Sequence, residues 1–305
     1  MAGRLLVLNG IMIPIDSLTG PHPTTQNRAT TRHGKSLVNK IPIASHKGKQ
    51  KFKGGLGFVQ INLNKQHQAT KDLGSYICNM EKPMILVQEP HVSGKGVISK
   101  GSYCLKAAAI RTPGLPIRAS IFFHKSMERQ IWIKDSITTE DCAAVQTKVN
   151  GVETLVVSCY MDGCEEQCPS QAFKNSVEHA KKHNLALIIG TDANAHNTAW
   201  NSRICDQKRK ERGDKLLEYI LANNLFIENT GNTPTFDNGR WKNSIDLTIT
   251  NQSGRNLVEG WRVDVKDRVE HSSDHNYIVF KSTGATELVR QNFRDISKTD
   301  WEVYE

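Results

Sequence analysis

The stretch LALIIGTDANAHNTAW, residues Leu185 to Trp200, decides how this chain is read. Leu185 to Ile189 is an unbroken apolar run, the pattern of a strand covered on both faces. The run stops at Gly190, and Asp192, Asn194 and His196 follow at alternate positions. A strand made for a core thus ends by presenting a carboxylate, a carboxamide and an imidazole.

Working outward, the other apolar runs end in the same way. GFVQINLN ends in Asn62 and Asn64, PMILVQEP in Glu89, and TLVVSCY in Tyr160. NSIDLTI carries Asp246 inside an apolar run, and HSSDHNYIVF sets Asp274 and His275 just before its strand. One polar strand end means little, because chains commonly turn into solvent there. A series of them, rich in acids and amides, implies convergence at one edge of the sheets, where open α/β architectures keep their sites. Gathered carboxylates repel one another unless a cation lies among them. An all-oxygen set suits a hard ion such as Mg²⁺, with Mn²⁺ as its substitute.

Helix-like stretches separate several of the runs: NKQHQATKDLGSYICNM, SQAFKNSVEHAKKHN and RGDKLLEYILANN, the last with Leu216, Leu217, Ile220 and Leu221 on one face. An α/β domain over residues 57–281 is expected, between a basic arm at 1–56 and a final segment at 282–305. The chain has 305 residues, 38% of them hydrophobic, enough for a sizeable core. No apolar stretch approaches the roughly 18 residues of a membrane span, so no membrane association is expected.

Charge is unevenly placed. Residues 1–56 hold nine Lys/Arg against one acid, Asp16, whereas the remainder holds 31 against 30. The net charge of +9 therefore resides almost wholly in the arm. Its Pro/Gly/Ser/Thr/Lys-rich composition predicts disorder. Such an arm attracts polyanions without reading sequence, and a merely solvated leader is equally consistent. At the start, MAGRLLVLNGIMIPI has an apolar patch, but Asn9 interrupts it and no small-x-small cleavage site follows. The seven cysteines, an odd number without repeating spacing, read as free thiols in a reducing, intracellular compartment. Cys164-x3-Cys168 before His179-x3-His183 approximates a zinc ligand order, but the interval is short and the histidines read as part of a surface helix.

The blocks INLN, QEP, CY, TDAN, SIDLTI and SDH, in this order over residues 57–281, resemble the exonuclease–endonuclease–phosphatase superfamily, the DNase I-like fold. None is specific alone; six in order are. Within that superfamily, GTDANAHNTAW, RGDKLLEYILANNLFIENTGNTPTF and SIDLTITN look like the endonuclease domain of non-LTR, LINE-type retrotransposons of the Jockey-like group. The closing NFRDISKTDWEVYE resembles the linker that leads from such a domain towards reverse transcriptase, a domain expected in the full element.

The resemblance implies a four-layered α/β sandwich, two facing mixed sheets flanked by helices. It implies a Mg²⁺-dependent DNA endonuclease that nicks one strand of double-stranded DNA and leaves a 3′-hydroxyl to prime reverse transcription, acting in the nucleus or located in the cytoplasm. Glu89, helped by Asn62 and Asn64, would hold the ion, with Asp274 beside it. Asp192 would orient or deprotonate the attacking water, and Asn194 and Tyr160 would donate hydrogen bonds to phosphate oxygens. His275, held by Asp246, would contact the phosphate from the other side. Whether Asp192 or His275 is the base stays open at this level.

Two stretches concern the substrate. DQKRKERGDK places Lys208, Arg209, Lys210 and Arg212 after the Asp192 strand, as a loop gripping DNA phosphates or as a solvated helix start. TPTFDNGRWKNSIDL reads as a β-hairpin with Asn238-Gly239 as its tight turn, presenting Arg240 and Trp241 to DNA unless Trp241 folds into the core. The competing readings are an AP-site repair nuclease of the same fold, an inactive nucleic-acid-binding copy, and a His-rich metal site using His196 with His271 or His275. Taken singly, Tyr160 also fits a core tyrosine, and Asp246 a strand residue paired with an Arg.

Overall fold

The computed structural model describes residues 55–93, 96–97, 105–109, 114–204, 206–265 and 272–283, together with the strands Leu5–Leu8 and Ile11–Pro14. The chain divides into two compact units, Met1–Lys49 and Gln50–Glu305. In the first, Leu5–Leu8 pairs antiparallel with Ile11–Pro14, so the arm read as disordered holds one pair of strands. The two apolar runs at residues 5–8 and 11–13 carry the sequence signal for the pairing. The rest of the basic arm up to residue 54, and the linker-like segment beyond Thr283, lie outside the described residues.

The second unit holds two six-stranded sheets. One runs in the order Phe226–Ile227, Asp246–Thr250, Ala186–Asp192, Val152–Tyr160, Cys142–Val149 and Trp132–Ile133. The other runs Val258–Asp264, Tyr277–Ser282, Gly57–Asn62, Met84–Gln88, Ala119–His124 and Leu105–Ala108. Each sheet is mixed. Val152–Tyr160 lies parallel to Ala186–Asp192, as Gly57–Asn62 does to Met84–Gln88, and the other neighbours are antiparallel. The last strand, Tyr277–Ser282, runs past the boundary expected at residue 281, and Ser282 N–H donates to Leu56 O at 2.8 Å.

Strand side chains alternate between faces, and this sorts the apolar residues into three slabs. Phe58, Met84, Leu86, Ile121 and Phe123 of one sheet meet Val145, Val156, Ala186 and Ile188 of the other. On the outer face of the first sheet, Leu155, Val157, Leu187 and Ile189 pack on Phe173 and Val177 of helix Gln171–Lys182 and on Leu216 and Ile220 of helix Gln207–Ala222. On the outer face of the second, Val59, Ile61, Ile85 and Val87 pack on Ala69, Leu73 and Ile77 of helix His67–Ile77. The expected four-layered α/β sandwich is the observed one. Both central strands read as continuous apolar runs because both of their faces are covered.

The inter-sheet layer changes character along the strands. Beyond Phe58 and Leu86 the inward positions become Gln60 and Gln88; beyond these come Asn62 and, where the chain leaves its strand at positive φ, Glu89. Gln60 Nε2 donates to Thr191 O and Leu247 O, and its Oε1 accepts from Thr248 Oγ1 at 3.1 Å. Gln88 Nε2 donates to Ser158 Oγ at 3.0 Å and Gly190 O at 3.1 Å. Gly190 interrupts the apolar run because a Cβ there would lie 2.7 Å from Leu86 Cδ1 and 2.8 Å from Gln60 Oε1. The layer is thus apolar at depth, amide-bonded in its middle and charged at its mouth.

Candidate active site

At that mouth, strand register places Tyr160 beside Asp192 and Asp192 beside Asp246 in one row across three strands. His275 comes from the other sheet's side, just before strand Tyr277–Ser282, and completes the row. Its Nδ1 is 2.9 and 3.0 Å from the two carboxylate oxygens of Asp246 and donates to them, which leaves Nε2 4.0 Å from Asp192 Oδ2. The Phe236 ring lies edge-on to the imidazole at 5.1 Å. Asp192, Asp246 and His275 are all buried.

Burial, and next the Asp246 carboxylate, push the Asp192 carboxyl up to about 7. Burial works against charge on His275, but Asp246, Asp192 and Asp274 outweigh it and lift the imidazole to about 9. A buried acid and an imidazole drawn this far from their usual values, facing one cleft, have the properties that acid–base chemistry requires. Tyr160 is likewise held above its ordinary value, by burial and then by Glu89 and Asp192.

The opposite wall carries Asn62, Asn64, Glu89 and Asp274. Asn62 Nδ2 donates to Asp192 Oδ2 at 2.9 Å and to Glu89 Oε2 at 3.2 Å, so one amide joins the two carboxylates. Its Oδ1 accepts the Asn64 N–H at 2.7 Å, which fixes the amide's orientation. Expected as an oxygen ligand, Asn62 instead turns its NH₂ towards the carboxylates. Asn64 Nδ2 donates to Asp274 Oδ1 at 3.2 Å, and Lys65 Nζ sits 2.8 Å from Glu89 Oε1. Asn64, Lys65, Glu89 and Asn194 all adopt positive φ, between 45° and 57°. For side chains other than glycine this costs about 1–3 kcal/mol each and persists where the surroundings impose it. Here Glu89 N–H donates to Arg118 O, Lys65 N–H to Glu89 O, and Asn194 N–H to Asp192 Oδ1.

Glu89, Asn64 and Asp274 line one cleft of about 450 Å³ together with Tyr160, Asp192 and His275. This hard-oxygen donor set fits a divalent ion. Among the described residues, the one group of three His, Cys, Asp or Glu close enough to share an ion is Asp192, Asp246 and His275, with ligand atoms within 4.8 Å. The His275 Nδ1 proton already points at Asp246, so an ion between those two would have to replace that bond. Glu89 and Asp274 offer further carboxylate oxygens at the mouth of the cleft, those of Glu89 held by Asn62 and Lys65 and one of Asp274 by Asn64.

Other expectations divide. His196 is buried with Nε2 3.1 Å from Asn243 Nδ2, and His271 lies outside the described residues. Cys164 and Cys168 are free thiols, and the His179 and His183 rings lie 4.4 Å apart, tilted by 41°, at the end of helix Gln171–Lys182. Lys208, Arg209, Lys210 and Arg212 belong to helix Gln207–Ala222 and not to a loop, because Asp206 caps its first turn by accepting from Arg209 N–H at 2.7 Å. Arg209 lines the cleft, whereas Lys210 pairs with Asp214 at 2.6 Å. Arg212 is buried with its guanidinium on Glu165 O, which removes it from the DNA contacts expected of it.

The hairpin is present, with a different turn. Phe236 pairs with Asn243 and Asp237 with Lys242, leaving a four-residue loop from Asn238 to Trp241 instead of a two-residue Asn-Gly turn. Side chains build it: Asp237 Oδ1 accepts from Gly239 N–H, and Asn238 Oδ1 from the N–H groups of Arg240 and Trp241. Trp241 is 58% exposed with the Arg240 guanidinium 5.8 Å from its ring, so it is not a core residue. The hairpin is fastened to the site, since Asp237 N–H donates to Asp274 O at 2.7 Å.

Sequence reasoning missed Lys65, Arg118, Gln60 and Gln88. Arg118 pairs with Asp141 and Asp162, each at 2.5 Å, and lies 5.2 Å over the Tyr160 ring. Nothing in its own stretch signals this. The glutamines carried a visible signal, a polar residue at an inward position of an apolar strand.

A family profile described as endonuclease-reverse transcriptase matches residues 154–279. The chain is 28% identical over 231 residues to the 115 kDa protein of the type-1 retrotransposable element R1DM of Drosophila melanogaster, covering 72% of this chain and 21% of that protein. It therefore spans about a fifth of that relative. Among solved structures it is similar to the endonuclease domain of TRAS1, a telomere-specific non-LTR retrotransposon, at 27% identity and a TM-score of 0.62, over 76% of this chain and all of that one. The AP endonuclease LMAP of Leishmania major shares the fold, at 11% identity and a TM-score of 0.56 over 74% of this chain and 87% of that one. The chain shares the DNase I-like fold and, among nucleases of that fold, is similar to the endonuclease domains of non-LTR retrotransposons.

Proposed function

We propose that this nuclease nicks one strand of double-stranded DNA in a Mg²⁺-dependent reaction and leaves a 3′-hydroxyl that primes reverse transcription in the nucleus. The observation that carries this reading is the Asn62 amide, which joins Asp192 to Glu89 through hydrogen bonds of 2.9 and 3.2 Å. It sets a water-handling carboxylate and a metal-binding carboxylate on opposite sides of a single group.

Glu89 with Asp274, and Asn64 beside them, would hold the ion, which when bound neutralises charge on the phosphate and the departing oxygen. The protein's own groups do the rest. Asp192 Oδ2 orients the attacking water and accepts its proton. His275, its Nδ1 donating to Asp246, turns Nε2 to a phosphate oxygen and stabilises the charge that develops there. The Tyr160 hydroxyl and the Asn194 amide supply further donors. The nearby retrotransposon relatives favour the priming role over AP-site repair.

Nicking of supercoiled plasmid in Mg²⁺ with and without EDTA tests the reading. Activity should vanish in EDTA and return with added Mg²⁺ or Mn²⁺. Activity that survives chelation, or that returns with Zn²⁺ alone, overturns it. For the hairpin, replacing Arg240 and Trp241 together by alanine should redistribute nicks along a sequenced fragment, because a cation and an exposed aromatic suit a groove. The total plasmid rate should change far less, and an unchanged nick pattern would remove the hairpin from target choice.

A further inference from the structure

The outer oxygen of Glu89 is held by a side chain that no strand-end pattern singles out. Lys65 Nζ lies 2.8 Å from Glu89 Oε1, with the lysine 59% exposed and the glutamate 13%. Their backbones are tied by Lys65 N–H donating to Glu89 O at 2.8 Å. Glu89 Oε2 accepts from Asn62 Nδ2, so each carboxylate oxygen has a donor and the group is held in one orientation.

We infer that Lys65 is the counter-ion against which a divalent cation competes for Glu89, and that this lysine thereby sets the affinity of the metal site. The inference rests on the reading of Glu89 as a metal ligand. A divalent ion on Oε1 and an ammonium 2.8 Å from the same atom repel each other, so one must withdraw. The lysine is the one free to do so, being a point charge on an exposed four-carbon stem, whereas Glu89 is fixed by Asn62 and by its own backbone. Until then the ammonium keeps a largely buried carboxylate paired beside Asp192, with which it shares the Asn62 amide.

Mn²⁺ titration of the full chain, freed of metal by chelation and followed calorimetrically, tests this. Lys65→Met and Lys65→Gln should bind Mn²⁺ about two- to fivefold more tightly than the unaltered protein, the scale of losing one ion pair with an exposed partner. Lys242→Met removes the same charge from the same cleft, where Lys242 pairs with Asp237 at 3.0 Å, and should move the affinity less. Circular dichroism identifies which of the two Lys65 variants is folded. A folded Lys65 variant with unchanged or weaker Mn²⁺ affinity overturns the inference, as does an equal change in Lys242→Met. If Glu89→Gln binds Mn²⁺ as the unaltered protein does, the metal reading of Glu89 fails first and this inference with it.

Discussion

Asp192→Asn and His275→Asn should each lower the nicking rate by roughly 10²- to 10⁴-fold, the range for losing a positioned acid or base. Affinity for DNA should hardly change, because Asp192 and His275 are only 2% and 5% exposed and offer the duplex little surface. The loss should therefore fall on turnover and not on binding. Stability separates this from a folding defect. Burial and Asp246 raise the Asp192 carboxyl to about 7 when folded, so ionising it costs folding free energy as pH rises through 7. At pH 8 the asparagine variant should thus melt no lower than the unaltered protein while being far less active. His275→Asn keeps an N–H for Asp246 and avoids leaving that carboxylate buried and alone. Wild-type nicking by both variants would place the chemistry elsewhere.

Gly213→Ala should lower the melting temperature by roughly 5 to 10 °C, corresponding to about 2–3 kcal/mol in a domain of this size. The sign is the informative part. A Gly→Ala exchange within a helix ordinarily stabilises by about 1 kcal/mol. Gly213 lies inside helix Gln207–Ala222, but a Cβ there would sit 2.1 Å from the His196 carbonyl oxygen. That neighbour is backbone and cannot rotate away. His196 N–H also donates to Arg209 O at 2.9 Å, so the helix and the segment following Asp192 are bonded face to face. Pushing the helix back would strain the turn that presents Asn194, and nicking should fall with stability. An unchanged or higher melting temperature would show that the helix does not approach so closely.

The strand ends were legible because their chemistry breaks a strong local pattern. Asp192, Glu89 and Asp246 each interrupt or close a run of apolar residues, and a charged group in that position needs a reason that sequence alone can pose. The helices were legible from their period, but for the basic cluster before Leu216 the sequence leaves loop and helix start open. Lys208 to Arg212 read equally well as loop or helix, and the Asp206 cap decides it. Which face each residue then takes depends on packing, and packing buries Arg212. The Asn238-Gly239 pair signalled a turn correctly, but side-chain bonds from Asp237 and Asn238 stabilise a longer loop than the dipeptide suggests.

By itself the sequence determined the alternation of elements, the burial of the central strands and the kinds of group that close them, because these depend on neighbours along the chain. Only the tertiary structure decided which groups meet. Asp192 and Asp246 are 54 residues apart and become neighbours through strand register, while Asn62 crosses between the sheets to join Asp192 to Glu89. Lys65 and Arg118 reach the site through contacts that no local pattern encodes. The reason is physical: hydrophobic periodicity is written residue by residue, whereas an ion pair or an amide bridge exists only once two sheets have been stacked and their inward faces aligned.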